Sequence, residues 1–195
     1  KIANTLNAGL NKINEWLLSP QSGGKIVIPE AVMTVGIQVV VEDNRYDPIF
    51  GGQQIYRVTR EIKSKPITIN VKEFPAGAPA SFNGAVGSFA LSSTMPAANI
   101  NVNSSDQIEI TLSGDGNFKF ITAPKVTFPE SFEVYDTKTT DNYKLSAQGT
   151  SGSVTYTYPF VARSSGTFTI PSIEFTYFDP QANAYKTLAT ESYAL

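Results

Sequence analysis

The chain has 195 residues, 41% of them apolar and 11% aromatic, which is enough for one large domain or two small ones with real cores. Its 15 basic and 17 acidic residues give a formal net charge of -2, and because they are spread along the chain they predict no nucleic-acid surface. The absence of Cys and His excludes Ser-His-Asp triads, Cys-His dyads, disulfide-stapled scaffolds and zinc sites built on thiolate or imidazole.

Residues 2–18 carry a helical pattern, because apolar residues recur there every three to four positions. These apolar residues are Ile2, Leu6, Leu10, Ile13 and Leu17. An internal repeat favours strand for the second part of the segment, since residues 16–29 align without gaps with the strand-like residues 158–171. We therefore predict a strand over 13–18 and leave residues 5–12 open between helix and strand.

From residue 25 onward, short runs with strand-type alternation are separated by Gly, Pro, Asn and Asp. The predicted strands are residues 25–28, 31–41, 66–71, 107–112, 118–121, 131–135, 142–146, 154–161, 166–170 and 173–178. Strands this short and this frequent predict an all-β chain built from β-sandwich modules.

Two glycine-containing segments predict local departures from straight strands. Gly114-Asp115-Gly116-Asn117 lies between two predicted strands, and because Asp-Gly adopts tight turns readily we predict a hairpin there. Residues 82–87 contain glycines without a following helix or lysine, which indicates a bend or bulge rather than a phosphate loop.

The repeat also predicts the domain organisation. With an offset of 142, Lys1 falls opposite Tyr143, so a first module would have only its C-terminal portion. We predict immunoglobulin-like β-sandwich modules in tandem: residues 1–71 as a truncated first module, 72–79 as a linker, and 80–195 as a second module. The likeness of residues 191–195 to residues 63–67 predicts that the last strand of the second module is cut short.

Several ordered motifs carry a family resemblance over roughly residues 60–195. They are SKPITINV at 64–71, FNGAVGSF at 82–89, GDGNF at 114–118, AP at 123–124, FEVY at 132–135, GTFTIP at 166–171, FTYFDP at 175–180 and YKTL at 185–188. Together they resemble the BatD family of bacterial oxygen-tolerance proteins. The resemblance implies exported immunoglobulin-like modules in a parent protein with a signal peptide and a helix anchored in the inner membrane. It also implies a periplasm-facing assembly with von Willebrand A-type and tetratricopeptide proteins and a MoxR-type ATPase from the same gene cluster.

Three short motifs have a functional interpretation that we weigh against a structural one. Ser22-Gly23-Gly24-Lys25 fits the S-x-x-K pattern of penicillin-binding enzymes, but its glycines and the following Ile-Val-Ile predict a turn that enters a strand. Residues 114–117 lack the alternating carboxylates of a calcium loop. Asn103-Ser104-Ser105 fits a glycosylation acceptor that we expect to be idle in a bacterial protein.

Acidic and aromatic groups supply the remaining candidate sites. Asp43 with Asp47, and Glu133 with Asp136 and Asp141, could bind a cation, but we expect these carboxylates to be solvated loop residues. An aromatic set near the C-terminus could stack on sugars, but strand alternation favours a core role, with Phe178 as the exposed exception. The set comprises Tyr156, Tyr158, Phe175, Tyr177, Phe178 and Tyr185.

We expect no enzyme, catalytic residue, cofactor or bound metal. The favoured hypothesis is a structural and interaction module of a periplasm-facing envelope complex linked to oxygen tolerance, which binds protein partners by strand addition at an exposed sheet edge. We expect neither nucleic-acid binding nor membrane contact by residues 1–195 themselves. The alternative is a carbohydrate-binding or adhesive β-sandwich module, and a hydrolase with paired Asp and Glu would need a deep pocket holding two acids.

Overall fold

A computed structural model describes residues 20, 22–41, 54–146 and 149–195 of the chain. The prediction of an all-β protein is confirmed, because the described residues form thirteen strands and one 3₁₀ turn. Across these ranges, no helix has the length and apolar character that crossing a membrane requires. The predicted strand at 13–18, the open assignment of 5–12, and the pair Asp43 and Asp47 lie outside the described residues.

The chain divides into two compact units, of which the first is Pro20–Phe74 and the second includes Pro75–Leu195. The strands of the first unit are β1 (Gly24–Ile28), β2 (Val32–Val41), β3 (Gln54–Lys63) and β4 (Ile67–Val71). β1 pairs antiparallel with β4, and β2 pairs antiparallel with β3. The β2–β3 hairpin therefore lies, along the chain, between the two strands of the β1–β4 pair.

The second unit is built around one large curled sheet. Its strands are β5 (Phe82–Thr94), β6 (Ser105–Gly116), β7 (Phe132–Val134), β8 (Lys138–Ser146), β9 (Gly149–Ala162), β10 (Thr169–Ile170), β11 (Glu174–Asp179), β12 (Ala184–Ala189) and β13 (Tyr193–Ala194). The large sheet has the order β12-β11-β5-β6-β9-β7, with β8 also paired to β9, while β10 and β13 form a separate pair. This arrangement is consistent with a β-sandwich, and the tandem immunoglobulin-like organisation stays a prediction.

One face of the sheet carries the core because β6 and β9 alternate apolar and polar residues in register. Ile108 lies opposite Tyr158, and Leu112 lies opposite Val154, all fully or almost fully buried. The other face is more polar, and Thr111 and Thr155 share a 2.9 Å hydrogen bond between their hydroxyl groups there. Alternation with period two places these two sets of side chains on opposite faces of the sheet.

The predicted hairpin at residues 114–117 is wrong. β6 runs on to Gly116, and both of its edges are occupied, by β5 and by β9. The predicted strand at 118–121 is instead a 3₁₀ turn at Phe118–Phe120, which places the Phe118 ring in the core at 3% exposure. Burial of the Phe118 ring and the pairing of both edges of β6 involve residues distant in sequence. These interactions therefore outweigh the local preference of Asp-Gly for a turn.

The bend predicted for residues 82–87 is present. β5 pairs parallel with β11 at Phe82 and Val86 with a shift of register between them, and pairs antiparallel with β6 from Gly87 onward. Gly87 has a φ of 150°, and a Cβ added there would clash with the carbonyl oxygen of Asp115. Only glycine tolerates this close approach of two backbones, so Gly87 allows β5 to change partners.

Candidate interaction surface

β8 forms a long exposed edge of the large sheet. Its nine residues pair with β9 in an unbroken register from Lys138 opposite Thr157 to Ser146 opposite Gly149. Within the part of the chain that the structure describes, β9 is the one strand that pairs with β8. The outer edge of β8 therefore presents backbone N–H and C=O groups that a further strand can pair with.

Tyr143 anchors this edge to the core. Its ring stacks on Phe118 at a centroid distance of 5.3 Å and an interplanar angle of 10°. The other residues of β8 are exposed, and Leu145 keeps 64% of its surface accessible. The stack holds the strand in place while its side chains and outer edge stay accessible, which suits a rigid docking edge.

Charge along β8 limits what can pair with it. Lys138, Asp141 and Lys144 are all exposed on this strand. Lysine at a sheet edge opposes indiscriminate strand pairing because a second copy would bring like charges together. A partner strand with acidic residues opposite the two lysines would pair with least electrostatic cost.

The other end of the sheet, at β12, offers a shorter edge to a partner strand. β12 has six residues, and the hydroxyl group of Tyr185 donates a 2.8 Å hydrogen bond to the carbonyl oxygen of Pro75. Lys186 on the same strand lies 2.6 Å from a carboxylate oxygen of Asp179, and the ammonium group holds the pKa of that carboxyl below its usual value. These contacts engage side chains of β12, and the greater length of β8 favours β8 as the candidate docking edge.

An ion-pair cluster lies beside β7. The guanidinium group of Arg163 donates through Nε and Nη2 to Oε2 of Glu133, at 2.8 and 2.5 Å, and through Nη1 to Oδ1 of Asn103, at 3.0 Å. The hydrogen bond from Arg163 lowers the pKa of Glu133. No motif pointed to Arg163, because a salt bridge between residues 30 positions apart has no local signature.

The predicted acidic sites do not assemble into a metal site in the described ranges. Glu133 lies on β7 and binds Arg163, Asp136 follows β7, and Asp141 lies on β8 opposite Val154. Among the described residues, no group of three or more Asp and Glu side chains could hold a metal ion. The carboxylates that are adjacent in sequence therefore have separate structural settings.

The Ser-x-x-Lys motif lies at the start of β1. Ser22 and Gly23 form a bend, while Gly24 and Lys25 already belong to the strand. A strand does not bring residues three apart onto one side as a helical turn does. The arrangement needed for a Ser and Lys catalytic pair is absent at these residues.

The C-terminal aromatic residues form core, as alternation predicts. Tyr156, Tyr158, Phe175 and Tyr177 are each at most 5% exposed. The expectation that Phe178 is exposed is wrong, since it is 8% exposed and packs edge-on against Tyr185 at 5.4 Å. The reason is that β11 is covered on both faces, which a period-two pattern cannot reveal.

The buried phenol groups are satisfied by backbone carbonyls. Tyr156 donates to Ile121 at 3.1 Å and Tyr158 donates to Pro124 at 2.6 Å. Burial raises the pKa of Tyr156 to about 12 and also raises the pKa of Tyr158. Both groups are therefore neutral hydrogen-bond donors over the physiological range and not candidates for proton transfer.

A shallow pocket lies next to the β10–β13 pair. Its lining includes Ile100, Ala162, Phe168 and Leu195, together with small polar residues, and contains no Asp or Glu. Two carboxyl groups in one pocket are what glycoside hydrolysis requires. This pocket therefore does not supply the site that the hydrolase hypothesis needs.

Comparison with known proteins identifies one family. The model of the BatD family, described as a BatD DUF11 like domain, matches residues 93–195. No curated protein and no solved structure matches the chain. The match includes β6 to β13 and so contains β8, the C-terminal core aromatic residues and the Arg163 cluster.

Proposed function

The chain belongs to the BatD family, and from that premise we propose that it is a non-enzymatic interaction module of a periplasm-facing envelope complex linked to oxygen tolerance. Its parent protein is anchored in the inner membrane, and the module binds other proteins of that complex. The partners we propose are von Willebrand A-type or tetratricopeptide proteins encoded in the same gene cluster.

The exposed edge of β8 supports this proposal more than any other single observation. Among the described strands β9 alone pairs with β8, so the outer edge of β8 can accept a partner strand along residues 138–145. Main-chain hydrogen bonds supply affinity in this mode of recognition, and side chains supply specificity. Lys138 and Lys144 select a partner strand that carries acidic residues.

The glycan-binding alternative has lost its main support. It relied on exposed aromatic residues near the C-terminus, and five of the six, Tyr185 excepted, are buried in the protein. A ring that lies in a core cannot stack on a sugar. We therefore propose protein binding alone, and the experiment below also detects glycan binding if it occurs.

The test uses adjacent proline substitutions on β8 in the natural full-length protein. In an antiparallel pair, alternate N–H groups point toward the partner strand and away from it. Of Thr139→Pro and Thr140→Pro, one therefore removes an N–H that bonds to β9, and the other removes an N–H on the outer edge. Hydrogen exchange of the unsubstituted protein shows which residue has the protected amide.

Each variant is cross-linked mildly in membranes and recovered for mass spectrometry. The proposal predicts that the outer-edge variant keeps wild-type thermal stability but no longer recovers a von Willebrand A-type or tetratricopeptide protein that the wild type retains. Equal recovery by the stable outer-edge variant would overturn binding at β8. Recovery of polysaccharide without any protein would overturn the interaction role.

A further inference from the structure

The same pattern of two hydrogen bonds between a pair of residues occurs in both units. In the first unit, the N–H of Ala31 donates to Oγ of Ser64 and the N–H of Ser64 donates to the carbonyl of Ala31, each at 2.9 Å. In the second unit, Ile173 and Thr190 make the same two bonds at 3.0 Å. Each hydroxyl group also donates to the carbonyl of the next residue in the chain.

The strands around these pairs have the same topology. Along the chain, the paired strands β1 and β4 flank the β2–β3 hairpin, just as the paired strands β10 and β13 flank the β11–β12 hairpin. The cross-strand pair Met33 and Ile62 corresponds to Phe175 and Leu188. The likeness predicted between residues 63–67 and 191–195 is out of register by two residues, because Ser64 corresponds to Thr190.

In the second unit, the apolar positions on one face of these strands and beside them belong to the core or pack against it. They are Phe168, Ile170, Phe175, Tyr177, Leu188, Tyr193 and Leu195. The layer that covers them precedes β10 in the chain: Phe89 of β5 packs edge-on against Phe175 and Tyr177 at 5.7 and 5.4 Å, and Phe132 packs against Phe168 at 5.1 Å.

The seven corresponding residues of the first unit are all apolar; four of them are exposed, and Ile28, Val35 and Ile69 are half-buried. Ile26 and Met33 correspond to Phe168 and Phe175 and are each 39% exposed. Ile62 corresponds to Leu188 and is 54% exposed. Ile67 corresponds to Tyr193 and is 57% exposed. Apolar side chains that stay exposed where the equivalent side chains of the second unit are covered mark a surface that another element covers.

We infer that this face, defined by Ile26, Met33, Ile62 and Ile67, binds a β-sheet layer of the same kind as β5, β6 and β9. The layer is supplied by the natural polypeptide before β1, as the equivalent layer precedes β10. Its inner face would carry alternating aliphatic and aromatic residues, as β6 and β9 do. The first unit is thus one half of a β-sandwich.

Cysteine labelling tests this inference directly, because residues 1–195 contain no Cys. Met33→Cys lies on the proposed face, and the matched control Val32→Cys lies next to it on the other face of β2. Val32 is 53% exposed, and its counterpart Glu174 is also exposed, so the control should react rapidly in any context. Ile67→Cys and Thr68→Cys form a second matched pair on β4.

Maleimide labelling rates are compared between residues 1–195 and the natural full-length protein. We expect Met33→Cys and Ile67→Cys to react at least about tenfold more slowly in the full-length protein, with both controls unchanged. Equal rates in the two proteins would overturn the inference. Slow labelling of residues 1–195 that depends on protein concentration would also overturn it, since a second copy would then cover the face.

Discussion

Tyr158 on β9 donates a 2.6 Å hydrogen bond to the carbonyl oxygen of Pro124, which lies in the connection between β6 and β7. Tyr156, two residues earlier, makes the same kind of bond to Ile121. These buried phenol groups join the main sheet to the segment that covers its core. The apolar packing of this face thus depends on two hydrogen bonds to buried carbonyl groups that would otherwise be unsatisfied.

Replacement of Tyr158 by phenylalanine should lower the free energy of unfolding by about 1–3 kcal/mol, because the Pro124 carbonyl loses its partner in a buried setting. Urea unfolding followed by fluorescence measures the change. Tyr143→Phe is the control, since its contact with Phe118 is a ring stack that the substitution preserves. Equal stability of Tyr158→Phe and wild type would contradict a structural role for the bond.

Alkaline pH should destabilise the second unit through Tyr156. Its pKa rises from 10.0 to about 12 in the folded protein, so the unfolded chain loses this proton first. The contribution of neutral Tyr156 to the free energy of unfolding is therefore complete below pH 10 and is lost as the pH rises through about 12. Urea titrations from pH 9 to 12 should show a shallower decline for Tyr156→Phe than for wild type. Parallel declines would show that other groups cause the effect.

Asn117 should be a strong determinant of the β5 bend. Its side chain accepts a 2.7 Å hydrogen bond from the N–H of Val86 and donates a 2.9 Å bond to the carbonyl of Gly84. Asn117→Ala removes both contacts and should cost about 1–3 kcal/mol of unfolding free energy. Thermal unfolding checks this, with exposed Asn99→Ala as the control. Equal melting temperatures for Asn117→Ala and Asn99→Ala would contradict this prediction.

Gly87→Ala should be more damaging than an ordinary glycine substitution. The added methyl group would meet the Asp115 carbonyl at a φ unfavourable for alanine, which predicts a loss of at least about 1–3 kcal/mol. Gly36→Ala is the control, because the space around that glycine is open. Denaturant unfolding of both variants makes the comparison. A Gly87→Ala protein as stable as Gly36→Ala would show that the close approach relaxes freely.

Alternation along the chain was sufficient to predict the fold class and the central core. Tyr156, Tyr158 and Phe160 were expected on one face of a strand, and all three are buried there. Bends are also legible when glycines occur without a helix signal, as the segment around Gly84 and Gly87 shows. These features depend on local geometry, which the sequence expresses directly.

Features that depend on distant residues were not predictable in the same way. The Asp-Gly sequence at 115–116 indicates a turn, but β5 and β9 occupy both edges of that strand. Phe178 looked exposed because the cover over its face comes from Tyr185 on another strand. An exposed sheet edge was predicted only as a class of surface, since strand order in a sheet decides which strand is outermost.

Site-specific photo-cross-linking tests the proposed function most directly. A photoreactive amino acid is placed at Thr140 on the exposed edge of β8, or at exposed Lys125 as the control, in the natural protein within membranes. We predict that Thr140 yields an adduct with a von Willebrand A-type or tetratricopeptide envelope protein, and that Lys125 does not. Absence of a protein adduct at Thr140, or identical adducts from both positions, would contradict partner binding along β8.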